Sequence, residues 1–170
     1  MNSDLRIPAA HLAGADDAEL AWRVIEPAYD AVSVHDGPEA LGAQLRRLTA
    51  GQRALLALHW CVAETMNGGF DQFLTNPSRL LADEARAGFE RIGVPEAARL
   101  LDDARALLAA RSAGADPEDP ELDEAAEADR FDAYLARYEP LEERFYALVD
   151  ATLYPRAAAY VREHPDEFTR

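Results

Sequence analysis

Residues 49–73 read TAGQRALLALHWCVAETMNGGFDQF, and the architecture of the chain follows from them. Thr49 with Gln52 three positions on is a capping-box pattern, in which each side chain satisfies the other's backbone N–H at a helix start. Through the segment from Ala54 to Met66, the residues Leu55, Leu56, Leu58, Trp60, Val62 and Ala63 leave almost no polar face. It is therefore predicted to be the central, buried helix. Asn67-Gly68-Gly69 is a stop signal, because a glycine past a helix end takes φ > 0 without a Cβ clash. Phe70 and Phe73, three residues apart, then restart a short helix or turn with both rings on one side, which places them in the core.

Outward from this segment the signals remain helical. Upstream, Asp16 or Asp17 caps a helix over 18–25, with Pro27 bending or ending it, and Gly37-Pro38-Glu39 opens another through Ala40 to Leu48. Residues 1–15 read as a poorly ordered or loosely docked lead-in, and 16–170 as a single helical domain. Downstream, Asn76-Pro77 breaks the chain before a helix from Leu80 to Ile92 that closes at Gly93, and Pro95 opens the next, to Arg111. Residues 112–120 form a loop. Phe131, Tyr134, Leu135 and Tyr138 make an apolar helical stripe that Glu124 and Glu127 would interrupt, so that helix is predicted to begin near Ala126. Pro140 opens a last helical segment, punctuated by Pro155 and ending near His164-Pro165. No segment alternates with period two. The expected fold is all-α, a bundle of about seven to nine helices.

The 170 residues are 49% apolar and 29% charged, which is a globular composition. No apolar run approaches the roughly 18 residues of a membrane span, and the N-terminus lacks secretory features, so a cytoplasmic location is expected. Cys61 is the single cysteine; a disulfide within the chain and a cysteine-based zinc site are both excluded. The net charge is −15, and residues 101–170 hold 18 acids against 8 arginines. Such charge argues against direct binding of nucleic acid or of an anionic membrane, and it suits a basic protein partner.

The ordered set Gln52, Trp60, Glu64, Asn67-Gly68-Gly69-Phe70, Gln72-Phe73 and Asn76 resembles the DNA-mimic protein family, a helical domain long listed as of unknown function. Ile92-Gly93 followed by Ala97, and the ending Tyr160 to Phe168, look like later landmarks of that family, so the resemblance spans roughly residues 20–168. Pro77-Ser78 departs from the glycine that relatives often carry there, which bears on the local turn and not on the fold. The resemblance implies an acidic all-helical protein, often a homodimer, with one branch occupying the DNA-binding face of a transcription regulator.

The candidate partner-binding residues are Asp116, Glu118, Asp119, Glu121, Asp123, Glu124, Glu127, Asp129 and Asp132, nine carboxylates in seventeen residues offset only by Arg130. Carboxylates spaced ~5–6 Å apart on helix turns can imitate the phosphate rows of DNA before a basic groove. The same run also serves as a solvated surface that keeps a protein soluble. Asp102, Asp103, Glu142 and Glu143 are candidate helpers. Glu64, Asn67 and Gln72 read either as a hydrogen-bond network pinning the helix end or as a polar pocket of a small-ligand-binding protein or helical enzyme. No metal or cofactor is expected. His59 and Glu64 lie about 140° apart around one helix, and His11, His35 and His164 are isolated in sequence, so no ligand spacing appears. The expectation is a non-enzymatic interaction protein; an immunity or antitoxin-like protein with one cognate partner is the other binding class in view.

Overall fold

The computed structural model describes residues 4–113 and 124–170, and the side chains of these except 113 and 124–128. The fold is all-α. Its helices are α1 (Asp17–Ala31), α2 (Pro38–Leu45), α3 (Ala50–Thr75), α4 (Ala82–Arg91), α5 (Pro95–Ala113), α6 (Glu124–Leu135), α7 (Glu139–Leu148) and α8 (Tyr154–Glu163). Short 3-10 turns occupy Ala9–Leu12, Pro77–Leu81 and Pro165–Glu167, and a π-helical turn at Val149–Leu153 joins α7 to α8.

The local signals behave as their chemistry dictates. Thr49 and Gln52 form the capping box at the start of α3, with both bonds at 3.1 Å. The Asp16 side chain accepts the Glu19 N–H at 2.8 Å and caps α1. After α4, Gly93 takes φ 77°, while its N–H reaches the Glu90 carbonyl and that of Val94 the Phe89 carbonyl, a Schellman closure. Two expectations shift. α1 runs through Pro27 to Ala31, because Val24, Ile25 and Ala28 are buried on both sides of the proline and their packing offsets a lost helical bond of about 3 kcal/mol. α6 begins at Glu124, two residues before the predicted start, since acids are favoured in a helix's first turn by its dipole.

α3 packs against α1, α4, α5 and α7 and forms the centre of the bundle. Its glycine pair does not separate two helices; it kinks one, with Gly68 at φ −150° and Gly69 at φ 78°. Beyond the kink Phe70 and Phe73 are fully buried, and the Phe145 ring lies 5.0 Å from Phe70 and 5.9 Å from Phe89. Burying each such ring contributes roughly 1.5–3 kcal/mol. Trp60 and Ala63 depart from the expectation of an all-apolar helix: Ala63 is exposed, and Trp60 is half-buried, stacked on Tyr29 at 5.4 Å.

From residue 4 onward the lead-in is docked rather than loose. Ile7 is buried, its N–H reaches the Phe168 carbonyl at 2.9 Å, and the Arg170 N–H returns to Ile7 at 3.0 Å. The buried Gln52 amide donates to the Leu5 carbonyl at 3.0 Å. The C-terminal turn closes over the N-terminus of α3 in the same way: Thr49 Oγ1 donates to the Glu167 carbonyl at 2.8 Å, and the Gly51 N–H donates to the Glu167 carboxylate. A Cβ at Gly51 would stand 2.7 Å from the Phe168 ring, so the approach needs glycine. The Tyr160-to-Phe168 landmark is thus a clasp on the central helix. Among the described residues no helix is long and apolar enough to cross a membrane.

Candidate functional site

The polar residues of the α3 motif converge on one carboxylate. Glu64 Oε2 accepts from Gln72 Nε2 at 2.5 Å and from Asn76 Nδ2 at 3.0 Å, and Oε1 accepts from the fully buried Ser78 hydroxyl at 3.0 Å. Asn67 Nδ2 donates to Gln72 Oε1 at 3.1 Å and extends the network to the surface. The kink at Gly68-Gly69 turns the second half of α3 so that Gln72 and Asn76 face Glu64. Pro77 starts the 3-10 turn that delivers the Ser78 hydroxyl to the carboxylate. The carboxylate is occupied by these neutral donors. Of the two readings of Glu64, Asn67 and Gln72, the bonds fit the network that pins the helix: they tie the two halves of α3 to each other and to the 3-10 turn.

The glycines have a second partner that lies far away in sequence. Glu142, on α7, accepts the Phe70 N–H at 2.9 Å and so caps the restarted half of α3. A Cβ on Gly69 would overlap Glu142 Oε1 and lie 3.0 Å from its Cδ. Glu142 is thereby spent inside the molecule. Asp102 is likewise engaged, held by Arg86 Nε at 2.8 Å, whereas Asp103 and Glu143 are exposed.

Of the acidic run, Asp116, Glu118, Asp119, Glu121 and Asp123 lie outside the described residues. Glu124 and Glu127 fall on α6, with no side-chain position described, and Asp129 and Asp132 are exposed on the same helix. What holds α6 is a cluster with a partial signal in sequence, the i, i+4 pair Tyr134 and Tyr138. The Tyr134 hydroxyl donates to Asp71 Oδ1 at 2.9 Å and lies 2.5 Å from the Tyr138 hydroxyl. The Arg111 guanidinium sits over the Tyr134 ring at 4.4 Å and over Phe131 at 5.2 Å. Burial pushes both phenols up from their ordinary range, Tyr138 furthest, so both remain protonated donors. Phe131, expected on the apolar stripe, is instead 43% exposed beneath Arg111. Tyr134→Phe is expected to cost about 2 kcal/mol, since Asp71 loses a charged-acceptor bond and the Tyr138 hydroxyl loses its neighbour. Amide hydrogen exchange should quicken across α6 and leave α3 unchanged.

Among the described residues no group of three His, Cys, Asp or Glu side chains stands close enough to hold a metal ion. Cys61 is fully buried, and burial pushes its thiol up, so it packs as a small apolar residue. A concave space does exist, but on the other side of α3, between α1, α4 and α8.

No curated protein and no solved structure matches the chain. A family model described as DMP19-like protein matches residues 46–164, which takes in the capping box, the kink, the Glu64 network and α4 through α8. The assignment corrects the resemblance drawn from the motif: the family is this defined one rather than a generic helical domain of unknown function, and the match begins at residue 46 rather than near residue 20. The clasp at Phe168 and helices α1 and α2 lie outside it. On this match over most of its length, the chain belongs to the DMP19-like protein family.

Proposed function

We propose that the protein is a non-enzymatic, acidic interaction protein of the DNA-mimic type, which occupies the DNA-binding surface of a basic protein such as a transcription regulator or nucleoid protein. One observation carries the reading. The acids on the outer side of α6 and the segment after it, Asp129, Asp132, Glu139, Glu143 and Asp150, are exposed, and among the described residues none has an arginine within ion-pair distance. Several acids on α4 and α5 are instead paired in place, Asp83 by Arg105, Asp102 by Arg86 and Glu96 by Arg144, while Asp103 on α5 is exposed and joins none of these pairs. The exposed acids on the α6 side are taken together with Asp116, Glu118, Asp119, Glu121, Asp123, Glu124 and Glu127, with which they are continuous in sequence, as the densest run of carboxylates in the chain. The motif around Glu64 supports the reading by being architectural: it orients the frame and leaves recognition to the surface. Family membership supports it independently.

The test is capture from lysate of the source cells with the intact protein, with a variant carrying amides at the nine acids from Asp116 to Asp132, and with a control variant Glu26→Gln/Asp30→Asn on exposed positions of α1. The expected result is a basic DNA-binding protein held by the intact chain and the control, lost by the nine-site variant and displaced by duplex DNA. Its affinity should fall at least about tenfold between 50 and 300 mM salt, because charge pairing of this kind is screened over ~8–10 Å. Capture that survives high salt, or that the nine-site variant retains, rejects the mimicry reading.

A further inference from the structure

Between α1, α3, α4 and α8 the packing leaves a cleft of about 240 Å³, open to solvent on the side of Ala18. Ile25, Leu55 and Phe89 stand for the aliphatic and aromatic side chains of most of its wall, and Trp22, His59 and Tyr154 bring the polar atoms. These three are half-buried, and the His59 ring meets rings rather than acceptors, with Trp22 at 4.9 Å and Tyr29 at 5.4 Å. An apolar wall offers water few hydrogen-bond partners, so an apolar guest that displaces it gains dispersion contacts along the wall. An enclosed apolar cavity of ~150 Å³ takes up benzene, and a cleft of about 240 Å³ has room for a molecule about one ring larger.

The charge of the guest follows from what the wall lacks. No carboxylate and no guanidinium lines the cavity, so an ion inside would be desolvated without a counter-charge. The overall charge of −15 adds a further penalty for anions. Burial pushes the His59 imidazole down and the Tyr154 phenol up, which keeps both neutral near pH 7 as one donor and acceptor each. We propose that this cavity is a binding site for a neutral, flat, two-ring aromatic molecule bearing one hydrogen-bonding atom, with His59 and Tyr154 as its polar contacts. The site lies on the far side of α3 from the Glu64 network and shares no residue with the acidic surface, so it stands or falls independently of the mimicry reading.

Indole is the probe. Titrated into the full chain and followed by calorimetry and by ¹⁵N-resolved NMR, it should bind saturably at one site with sub-millimolar affinity, moving the Trp22 side-chain N–H signal and the backbone signals of Leu58 and His59. Indole-3-acetate and tryptamine, the anionic and cationic analogues, should bind at least about tenfold more weakly. Ala18→Trp, at an exposed position on the cavity's edge, should block binding without disturbing the core, and His59→Leu should weaken it about five- to tenfold. Absence of saturable binding up to indole's solubility overturns the proposal. So does indole binding that is unchanged in a folded Ala18→Trp variant, or equal affinity for the charged analogues.

Discussion

Gly69→Ala is expected to destabilise the fold by about 3–5 kcal/mol and to lower Tm by roughly 6–15 °C. Two costs combine. At φ 78° and ψ 178° the residue occupies a region open essentially to glycine alone, where a side chain costs about 1–3 kcal/mol. The new Cβ would also displace the Glu142 carboxylate, leaving the Phe70 N–H buried without an acceptor, at about 1–3 kcal/mol more. The two costs are separable by a double-mutant cycle. Glu142→Ala alone loses the bond but keeps the backbone, and the Gly69→Ala/Glu142→Ala pair should cost less than the sum of the singles by about 1–2 kcal/mol, because the clash and the bond belong to the same side chain. Gly68→Ala is the comparison: its φ of −150° carries no left-handed strain, but its Cβ would overlap Gln72 Oε1 and displace the amide that bonds Glu64 and Asn67, so a loss of about 1–3 kcal/mol is expected through the Glu64 network and not through Glu142. Urea denaturation of the four variants beside the parent reads all of these. Strictly additive losses for Gly69→Ala and Glu142→Ala in the cycle would remove Glu142 from the architecture of the kink.

The kink shows where the sequence was legible and where it was not. Signals whose two halves lie within one turn of each other were read directly: the Thr49–Gln52 capping box, the Gly93 closure and the Pro95 start depend on neighbours only. Much of the Glu64 network was within reach too, since Asn67, Gln72 and Asn76 follow within twelve residues and share its side of the kinked helix. Contacts between distant segments carried no local signature. Glu142, 72 residues from Phe70, looked like any surface acid and was grouped with the candidate partner-binding charges. Asp71 to Tyr134 and Ile7 to Phe168 escaped for the same reason, as tertiary pairings cost nothing to hide in a helical pattern. Charge counts also mislead in one direction. A count weighs Asp83, Glu96 and Asp102 the same as Asp129 or Asp132, although Arg105, Arg144 and Arg86 from neighbouring helices pair with the first three.

Glu64 is the residue at which an architectural motif and a ligand-binding motif make opposite demands. If it were held for a ligand, its removal would free strain and leave the fold intact or steadier, as happens where a functional carboxylate is kept at some cost in stability. With its acceptors committed to Gln72, Asn76 and Ser78, removal should instead leave three donors unpaired, one of them on a fully buried side chain. Glu64→Ala is therefore expected to cost about 3–4 kcal/mol, discounted from the sum of three bonds because the Gln72 and Asn76 amides retain some access to water. Glu64→Gln should recover about half of this, since one amide oxygen still accepts while the new NH₂ meets donors; the recovery is incomplete because Gln72 Oε1 already serves Asn67 and cannot turn to help. Ser78→Ala removes a single donor and leaves Oε1 without it, at about 1–2 kcal/mol. The order Glu64→Ala, then Glu64→Gln, then Ser78→Ala in lost stability, read by chemical denaturation, together with unchanged partner capture by each variant that remains folded, is the pattern of a frame. A Glu64→Ala protein of parental stability that had lost its partner would make the motif part of the recognition surface.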